Sequence, residues 1–182
     1  MAEPLTGAIN LPDGTLIRGR GRREPLPSGS LPDFGLYLGR PPDQPRRTLF
    51  RRNPGWQPGW PADWIDWPDF RTPRDDQLAA AAIEHAYQLA KAGQRVEVAC
   101  TGGTGRTGTV IACMAILAGH PAADAVGWTR RHYRPRAGRN TRPTALDLLV
   151  RHPLPRPLSR KDLNPMRSEI AAAVGLPKCR PR

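Results

Sequence analysis

The chain has 182 residues, of which 38% are hydrophobic, and its formal net charge at pH 7 is +12. This length suits one domain with an extension, so we expect a domain over residues 1–150 and a basic extension over residues 151–182. The sequence holds three cysteines, no charged-then-apolar leader and no apolar run near the roughly 18 residues that a membrane helix needs. These features argue against a disulfide-stapled secreted fold and a transmembrane protein, and they predict a soluble protein of the cytoplasm.

The positive charge comes almost entirely from arginine. Of 28 basic residues only Lys91, Lys161 and Lys178 are lysines, a bias for which coding preference is the simplest explanation. Residues 151–182 hold eight basic residues against two acidic ones. That excess would attract acidic partners, an anionic membrane surface or nucleic acid. Because no aromatic residues interleave with these charges, we expect no specific nucleic-acid recognition.

The first third of the chain predicts short strands separated by loops. Residues 1–14 are polar and are expected to be irregular. Alternating apolar residues predict strands over 15–20 and 34–38, and a further short strand is expected over 64–66. Between the last two strands, residues 41–61 are rich in proline and arginine, which is typical of a long surface loop.

Helices dominate the remainder. Apolar residues at helical spacing predict a helix over 73–93 that ends at Gly93, and a β-branched run predicts a buried strand over 95–99. Further helices are predicted at 107–118, 122–133 and 143–151, and from Asn164-Pro165 onward. Strands followed by alternating helices predict an α/β fold, a three-layer sandwich whose small, partly parallel sheet is flanked by helices.

The most informative segment is residues 100–108, which read Cys-Thr-Gly-Gly-Thr-Gly-Arg-Thr-Gly between the predicted strand and helix. Its glycines let successive backbone N–H groups point inward, which makes an anion-binding nest at a helix N-terminus. Arg106 adds a planar guanidinium suited to bidentate contact with phosphate. We expect Cys100 to lie at the bottom of this nest, where N–H groups and a cation lower the pKa of a thiol.

A second motif supplies a carboxylic acid. Trp67-Pro68-Asp69 precedes Cys100 by about 30 residues, and its acid can protonate a leaving group. The spacing Cys100-x5-Arg106, together with this upstream motif, resembles the cysteine-dependent protein tyrosine and dual-specificity phosphatase superfamily. The resemblance covers roughly residues 64–108, and a weaker similarity extends over residues 125–136.

The resemblance implies specific roles for four residues. Cys100 would attack phosphorus and form a thiophosphate intermediate, while Asp69 would act as general acid and then as general base. Thr107 would donate its hydroxyl to the thiolate, and Arg106 would stabilise the charge of the transition state. No metal or other cofactor is implied, because Arg106 and the nest supply the positive field. The implied substrate-binding residues are Thr101, Gly102, Gly103, Thr104, Gly105 and Arg106.

The resemblance also implies a substrate class. It predicts a phosphoric monoester hydrolase that acts on phosphorylated proteins, above all on phosphotyrosine, with dual specificity as a further possibility. Thr101 and Thr104 are neutral where lipid-phosphate members of the superfamily tend to carry lysines, which disfavours inositol phosphates. Removal of an RNA 5′-phosphate stays open because of the basic extension. The sequence gives no signal about oligomeric state.

The sequence departs from the family pattern in three ways, of which the first two support a different hypothesis. The histidine that usually precedes the cysteine is Ala99, which is expected to raise the pKa of the thiol. Residues 138–144 contain no glutamine to position the hydrolytic water, and no tyrosine-recognition loop is evident. A catalytically weak or inactive phosphate-binding module is therefore an alternative.

A dinucleotide site is a further alternative, because Gly103-x-Gly105-x-x-Gly108 also fits the glycine fingerprint of an NAD(P)-binding domain, with Asp124 at a suitable distance. That fingerprint requires a second strand after the helix, where this sequence predicts residues 122–133 to be helical. It also leaves Cys100 without a role.

Some residues have simpler structural interpretations. Cys113 falls inside the apolar helix and is expected to be a core residue. Asp69 is a candidate helix cap, although Asp75 and Asp76 are better placed for that. The histidines show no ligand spacing with any cysteine, so no metal site is predicted.

Overall fold

A computed structural model describes residues 3–41 and 56–138. Within them, five strands form one mixed sheet in the order β1-β2-β5-β3-β4. The strands are β1 (Ala8–Asn10), β2 (Leu16–Gly21), β3 (Phe34–Leu38), β4 (Ala62–Ile65) and β5 (Val96–Cys100). β2, β5, β3 and β4 run parallel, and β1 lies antiparallel at one edge. The predicted α/β class and partly parallel sheet are confirmed.

The helices of the described residues are α1 (Asp76–Lys91), α2 (Gly105–Leu117) and α3 (Ala125–His132), the last preceded by a 3-10 turn over Ala122–Asp124. Asp75 caps α1, since its Oδ1 accepts a hydrogen bond from the Leu78 N–H at 2.9 Å. Gly93, at φ 88°, follows the helix in the left-handed conformation that glycine adopts at helix ends. The predicted helices over 73–93, 107–118 and 122–133 are thus present with shifted ends.

The apolar core lies between one face of the sheet and helices α1 and α2, which also contact each other. Alternate residues of the central strand β5, Val96, Val98 and Cys100, belong to this core cluster, together with Ile111 and Met114 of α2. Residues 107–115 of α2 are all buried, which agrees with the absence of any charged residue over 107–118.

The opposite face of the sheet buries a charged network. Glu97 of β5 is fully buried, and its Oε2 accepts hydrogen bonds from Arg18 Nη2 at 2.6 Å and Arg20 Nε at 2.8 Å. Its Oε1 accepts one from the Tyr37 hydroxyl at 3.0 Å, and that hydroxyl in turn accepts one from Trp60 Nε1 at 2.9 Å. Two arginines thus share a single carboxylate in the interior.

The N-terminal segment differs from its prediction. Residues 1–14 were expected to be irregular, but Ala8–Asn10 pair with β2 as strand β1. Three residues are too few to show an alternating pattern, and only the flanking Leu5 and Leu11 are deeply buried. The strand therefore forms because it pairs with β2, and its own three residues carry no pattern that predicts a strand.

Several predictions fall partly or wholly outside the described residues. These are most of the loop over 41–61, the helices at 143–151 and after Asn164, and the domain boundary near residue 150. Among the described residues, no helix is both long and apolar enough to cross a membrane.

Removing the Glu97 carboxylate should leave two buried guanidiniums without their shared partner. We expect Glu97→Ala to lower the free energy of unfolding by about 3–5 kcal/mol, the usual effect of breaking a buried ion pair. Urea denaturation measures this, with Glu3→Ala as control because Glu3 is exposed. Equal unfolding midpoints for the two variants would contradict the assigned role of the network.

Candidate active site

The candidate site lies at the edge of the sheet where the parallel strands end. Cys100, the last residue of β5, is paired in register with Gly21 of β2 and Leu38 of β3. Since these strands run in one direction, the segments that follow them leave the sheet side by side. The segment after β4 (Ala62–Ile65) carries Trp67-Pro68-Asp69 and emerges at the same edge.

The loop after Cys100 turns back over the sulfur. The Gly103 N–H donates a hydrogen bond to Cys100 Sγ at 3.2 Å. Gly103 has a φ of 68°, and a Cβ at this position would overlap the backbone of Gly21, so both conformation and packing require glycine. A Cβ at Gly102 or Gly105 would meet nothing within 4 Å. Of the three loop glycines, only Gly103 is sterically required.

Thr107 braces the loop from inside. It lies fully buried in the first turn of α2, and its Oγ1 accepts a hydrogen bond from the Cys100 N–H at 2.9 Å. Thr104, not Thr107, is the N-cap residue of α2, and it makes no side-chain capping bond. The Thr107 hydroxyl is therefore committed to Cys100 and not to the helix end.

The pKa of the Cys100 thiol is lowered from its ordinary value. Burial is the largest single influence and raises the pKa, but hydrogen bonds from Thr107, the charge of Arg106 and the Gly102 N–H together outweigh it. The pKa is lowered even though Ala99 stands where the family has histidine. The sulfur is thus prepared to carry negative charge.

Arg106 links the cysteine loop to the acid loop. Its Nη1 donates a hydrogen bond to the Trp67 carbonyl at 2.7 Å, and its Nη2 lies 3.2 Å from Asp69 Oδ1. Nη2 also donates to Thr101 Oγ1 at 3.3 Å. The side chain of Arg106 is only 10% exposed, whereas that of Asp69 is 64% exposed. One guanidinium therefore holds both motifs and leaves the carboxylate open to a substrate.

The acid loop has internal supports of its own. The buried indole of Trp67 donates through Nε1 to the Arg71 carbonyl at 2.6 Å. Asp66, in the same loop, pairs with Arg74 at 3.0 Å. Phe70, directly after Asp69, has a φ of 58° and is 75% exposed. The fixed part of the loop is thus Trp67, and the exposed part is Asp69 and Phe70.

Four residues that the sequence did not single out hold the cysteine loop from outside. The Tyr133 hydroxyl donates to the Gly103 carbonyl at 2.5 Å. Arg134 binds both Glu24 carboxylate oxygens at 2.8 Å, and Glu24 Oε2 accepts the Gly21 N–H at 3.1 Å. The Arg22 N–H donates to the Cys100 carbonyl at 2.8 Å. The weak family similarity over residues 125–136 was the available signal for Tyr133 and Arg134.

Two other interpretations are settled by the fold. After α2 the chain forms a 3-10 turn and then α3, so the strand that a dinucleotide fingerprint needs is absent there. Asp124 is paired with Arg131 at 2.6 Å. Cys113 is a core residue as predicted, and burial raises the pKa of its thiol to about 12.

The lowered pKa of Cys100 predicts selective alkylation. Because the thiolate is the reactive form, iodoacetamide should label Cys100 with a rate that rises with pH and is half-maximal below about 8.5, the value of an ordinary thiol. Cys113 should stay unlabelled in the folded protein. Arg106→Gln removes a group that lowers the pKa, so it should move the half-maximum to higher pH. Peptide mapping after labelling identifies the site, and a half-maximum at or above 8.5 would refute the prediction.

Comparison with known proteins finds one family model and several solved structures that match this chain. Residues 56–120 match a family model described as a DSP-PTPase phosphatase of polymorphic toxin systems. Solved structures of Tk-PTP also match: the active form is 21% identical, covering 66% of this chain and 77% of that one at a TM-score of 0.49. A mutant form is 17% identical, covering 66% and 75% at a TM-score of 0.49. No curated protein matches this chain. The family model spans both motifs, and over residues 56–120 it confirms the resemblance of this chain to the tyrosine and dual-specificity phosphatases.

Proposed function

We propose that this chain hydrolyses phosphoric monoesters, with phosphotyrosine in proteins as its substrate, through a cysteinyl-phosphate intermediate. The observation that carries the proposal is the contact of Arg106 with Asp69 at 3.2 Å, beside a Cys100 thiol of lowered pKa. A thiol, a guanidinium and a carboxyl group thus lie at one edge of the sheet, and this supports the roles of nucleophile, anion-binding group and acid that we propose for them. The family model supports the phosphatase class.

In the first step, the Cys100 thiolate attacks phosphorus and the bond to the leaving oxygen breaks. Arg106 and the inward N–H groups of residues 101–106 bind the equatorial oxygens, whose charge they stabilise in the transition state. Asp69 gives its proton to the leaving oxygen, so that the tyrosine departs as a neutral phenol. The exposure of Asp69 lets it reach an oxygen that lies above the nest.

In the second step, water attacks the thiophosphate and the P–S bond breaks. Asp69, now ionised, accepts a proton from that water, and inorganic phosphate is released. The departing thiolate is stabilised by the Gly103 N–H and by Thr107, which already lie against Cys100. The positive groups that lower the pKa of the thiol therefore also make the sulfur a good leaving group.

Turnover of a generic aryl phosphate separates an enzyme from an inactive phosphate-binding module. Cys100→Ser should abolish hydrolysis, and Asp69→Asn should lower kcat by about 10²-fold or more, the usual contribution of a general acid. Asp66→Asn is the matched control, because Asp66 lies in the same loop but pairs with Arg74; it should retain kcat within about twofold.

An inactive wild-type protein that still binds phosphate would favour the binding module. Equal effects of Asp69→Asn and Asp66→Asn would remove Asp69 from the mechanism. Phosphotyrosine, phosphoserine and phosphothreonine peptides, an inositol phosphate and a 5′-phosphorylated RNA, compared by kcat/KM, then test the substrate class.

The description of the matching family favours a biological setting as well. It assigns the phosphatase family to polymorphic toxin systems, and we propose that this chain is a toxic effector that acts by removing phosphate from proteins of a target cell. Such an effector depends on turnover, so its toxicity should require the nucleophile.

Inducible expression in a bacterium and in yeast tests this setting. The wild-type chain should arrest growth in at least one host, while Cys100→Ser, produced at the same level, should not. Growth arrest of equal strength by both proteins would show that toxicity does not come from catalysis. Normal growth with wild-type protein that is active in lysate would exclude a toxic role in those hosts.

A further inference from the structure

Arg22 is a cation beside the candidate site to which the proposed reaction gives no role. It is the first residue after β2, and its backbone N–H donates to the Cys100 carbonyl at 2.8 Å. The β2–β5 pairing therefore continues to the mouth of the cysteine loop. This fixes the backbone of Arg22 next to the nucleophile.

The guanidinium of Arg22 faces that of Arg106. A Cβ built on Gly39 would lie 3.1 Å from Arg22 Nη2 and 3.5 Å from Arg106 Nη1, so the two like charges converge over one glycine. Gly39 has a φ of 147°, and the absence of a side chain there leaves room for both arginines. Burial, together with the charge of Arg106, lowers the pKa of Arg22.

Arg22 also differs from the other partly buried arginines of the described residues in having no carboxylate partner among them. Arg18 and Arg20 share Glu97, Arg95 binds Asp33, Arg106 contacts Asp69, and Arg134 binds Glu24. The Nε of Arg22 is buried and has no hydrogen-bond partner in the part of the chain that the structure describes. Its guanidinium instead lies over the ring of Trp64, 4.9 Å from the centroid. A half-buried guanidinium that lacks a carboxylate partner is suited to bind an anion.

A cavity of about 230 Å³ opens next to Arg22. Its polar lining includes Arg20, Gln57 and Glu24, whose carboxylate is paired with Arg134, and its apolar lining includes Trp56 and Trp60. The cavity has space for a side chain that adjoins the phosphorylated one. In an extended peptide successive residues are about 3.3 Å apart along the chain, so a neighbour one or two residues away lies within reach of Arg22.

We propose that Arg22 is a second anion-binding residue of the site, and that the preferred substrate is a phosphotyrosine segment with a second anionic side chain, phosphothreonine or a carboxylate, one or two residues away. The inference rests on the proposed function. The planar fork of arginine suits both anions, and binding one would relieve the repulsion between Arg22 and Arg106.

Matched peptides test the preference. Three phosphotyrosine peptides that carry alanine, glutamate or phosphothreonine beside the phosphotyrosine are compared by kcat/KM. Wild-type protein should favour the phosphothreonine peptide over the alanine peptide by about tenfold, the value of one charge-assisted contact. In Arg22→Gln this ratio should fall to about 1–2, whereas Arg23→Gln, which removes the same charge from an exposed neighbour, should keep it.

Three results would overturn the proposal. A ratio that is unchanged in Arg22→Gln would show that Arg22 does not contact the second anion. An equal loss in Arg22→Gln and Arg23→Gln would show a general effect of surface charge. A 5′-phosphorylated RNA would replace the peptide as occupant if its phosphate is removed with a higher kcat/KM than that of all three peptides and if this activity is lost in Arg22→Gln. Thermal unfolding of each variant verifies that it folds.

Binding separates this inference from the proposed function. In the Cys100→Ser background, pyrophosphate, which joins two anions, should bind about tenfold more tightly than orthophosphate by calorimetry, and the additional substitution Arg22→Gln should remove that advantage. This measurement needs no turnover. If no peptide is hydrolysed but the pyrophosphate advantage depends on Arg22, the proposed function fails and the second anion site stands. Equal binding of the two anions would reject the site itself.

Discussion

The candidate site depends on the register that sets Cys100 opposite Gly21 and Leu38. Because the three strands are parallel and end at one level, the segments that begin at Thr101, Arg22 and Gly39 leave the sheet together. The required glycine at 103 follows from this register, since the loop turns back against the backbone of Gly21. A shift of β2 by one residue would turn its side chains to the other face of the sheet and break this fit.

The same register concentrates positive charge where a phosphate is expected. On the buried face of the sheet away from α2, the two positive charges of Arg18 and Arg20 outnumber the single negative charge of Glu97. At the end of the strands, Arg106 is paired with the largely exposed carboxylate of Asp69, and Arg22 has no carboxylate partner among the described residues. Since like charges held together destabilise a fold, such an arrangement is retained where an anion compensates it. The excess thus has the sign and the position that a phosphate ester requires.

The sequence predicted the parts of the site that are local in the chain. Cys100, Arg106 and Thr107 lie within eight residues of one another, and the strand, loop and helix that carry them follow from a short pattern. The strands and helices that bury a regular apolar face were found for the same reason. Strand β1, with three partly exposed residues, had no such pattern.

What the sequence did not reveal depends on strand order. Arg22 and Glu24 come nearly 80 positions before Cys100, and nothing in their own neighbourhood marks them as part of a site. Their place beside the loop follows from the β2–β5 pairing, which joins segments far apart in the chain. Likewise, the sequence predicted that N–H groups and Arg106 lower the pKa of the Cys100 thiol and that Ala99 raises it, but which influence prevails depends on burial and contacts that only the folded loop defines.

The two terminal nitrogens of Arg106, Nη1 and Nη2, contact different parts of the site. Nη1 holds the Trp67 carbonyl, and this bond can persist when phosphate arrives because it uses neither Asp69 nor the nest. Nη2 is shared between Asp69 and Thr101, at 3.2 and 3.3 Å, and both contacts are long enough to be exchanged for a phosphate oxygen. In the proposed mechanism, phosphate binding therefore releases the carboxylate of Asp69 toward the leaving oxygen while the loop around Trp67 stays in place. The acid is freed by the same event that brings the ester to the nucleophile.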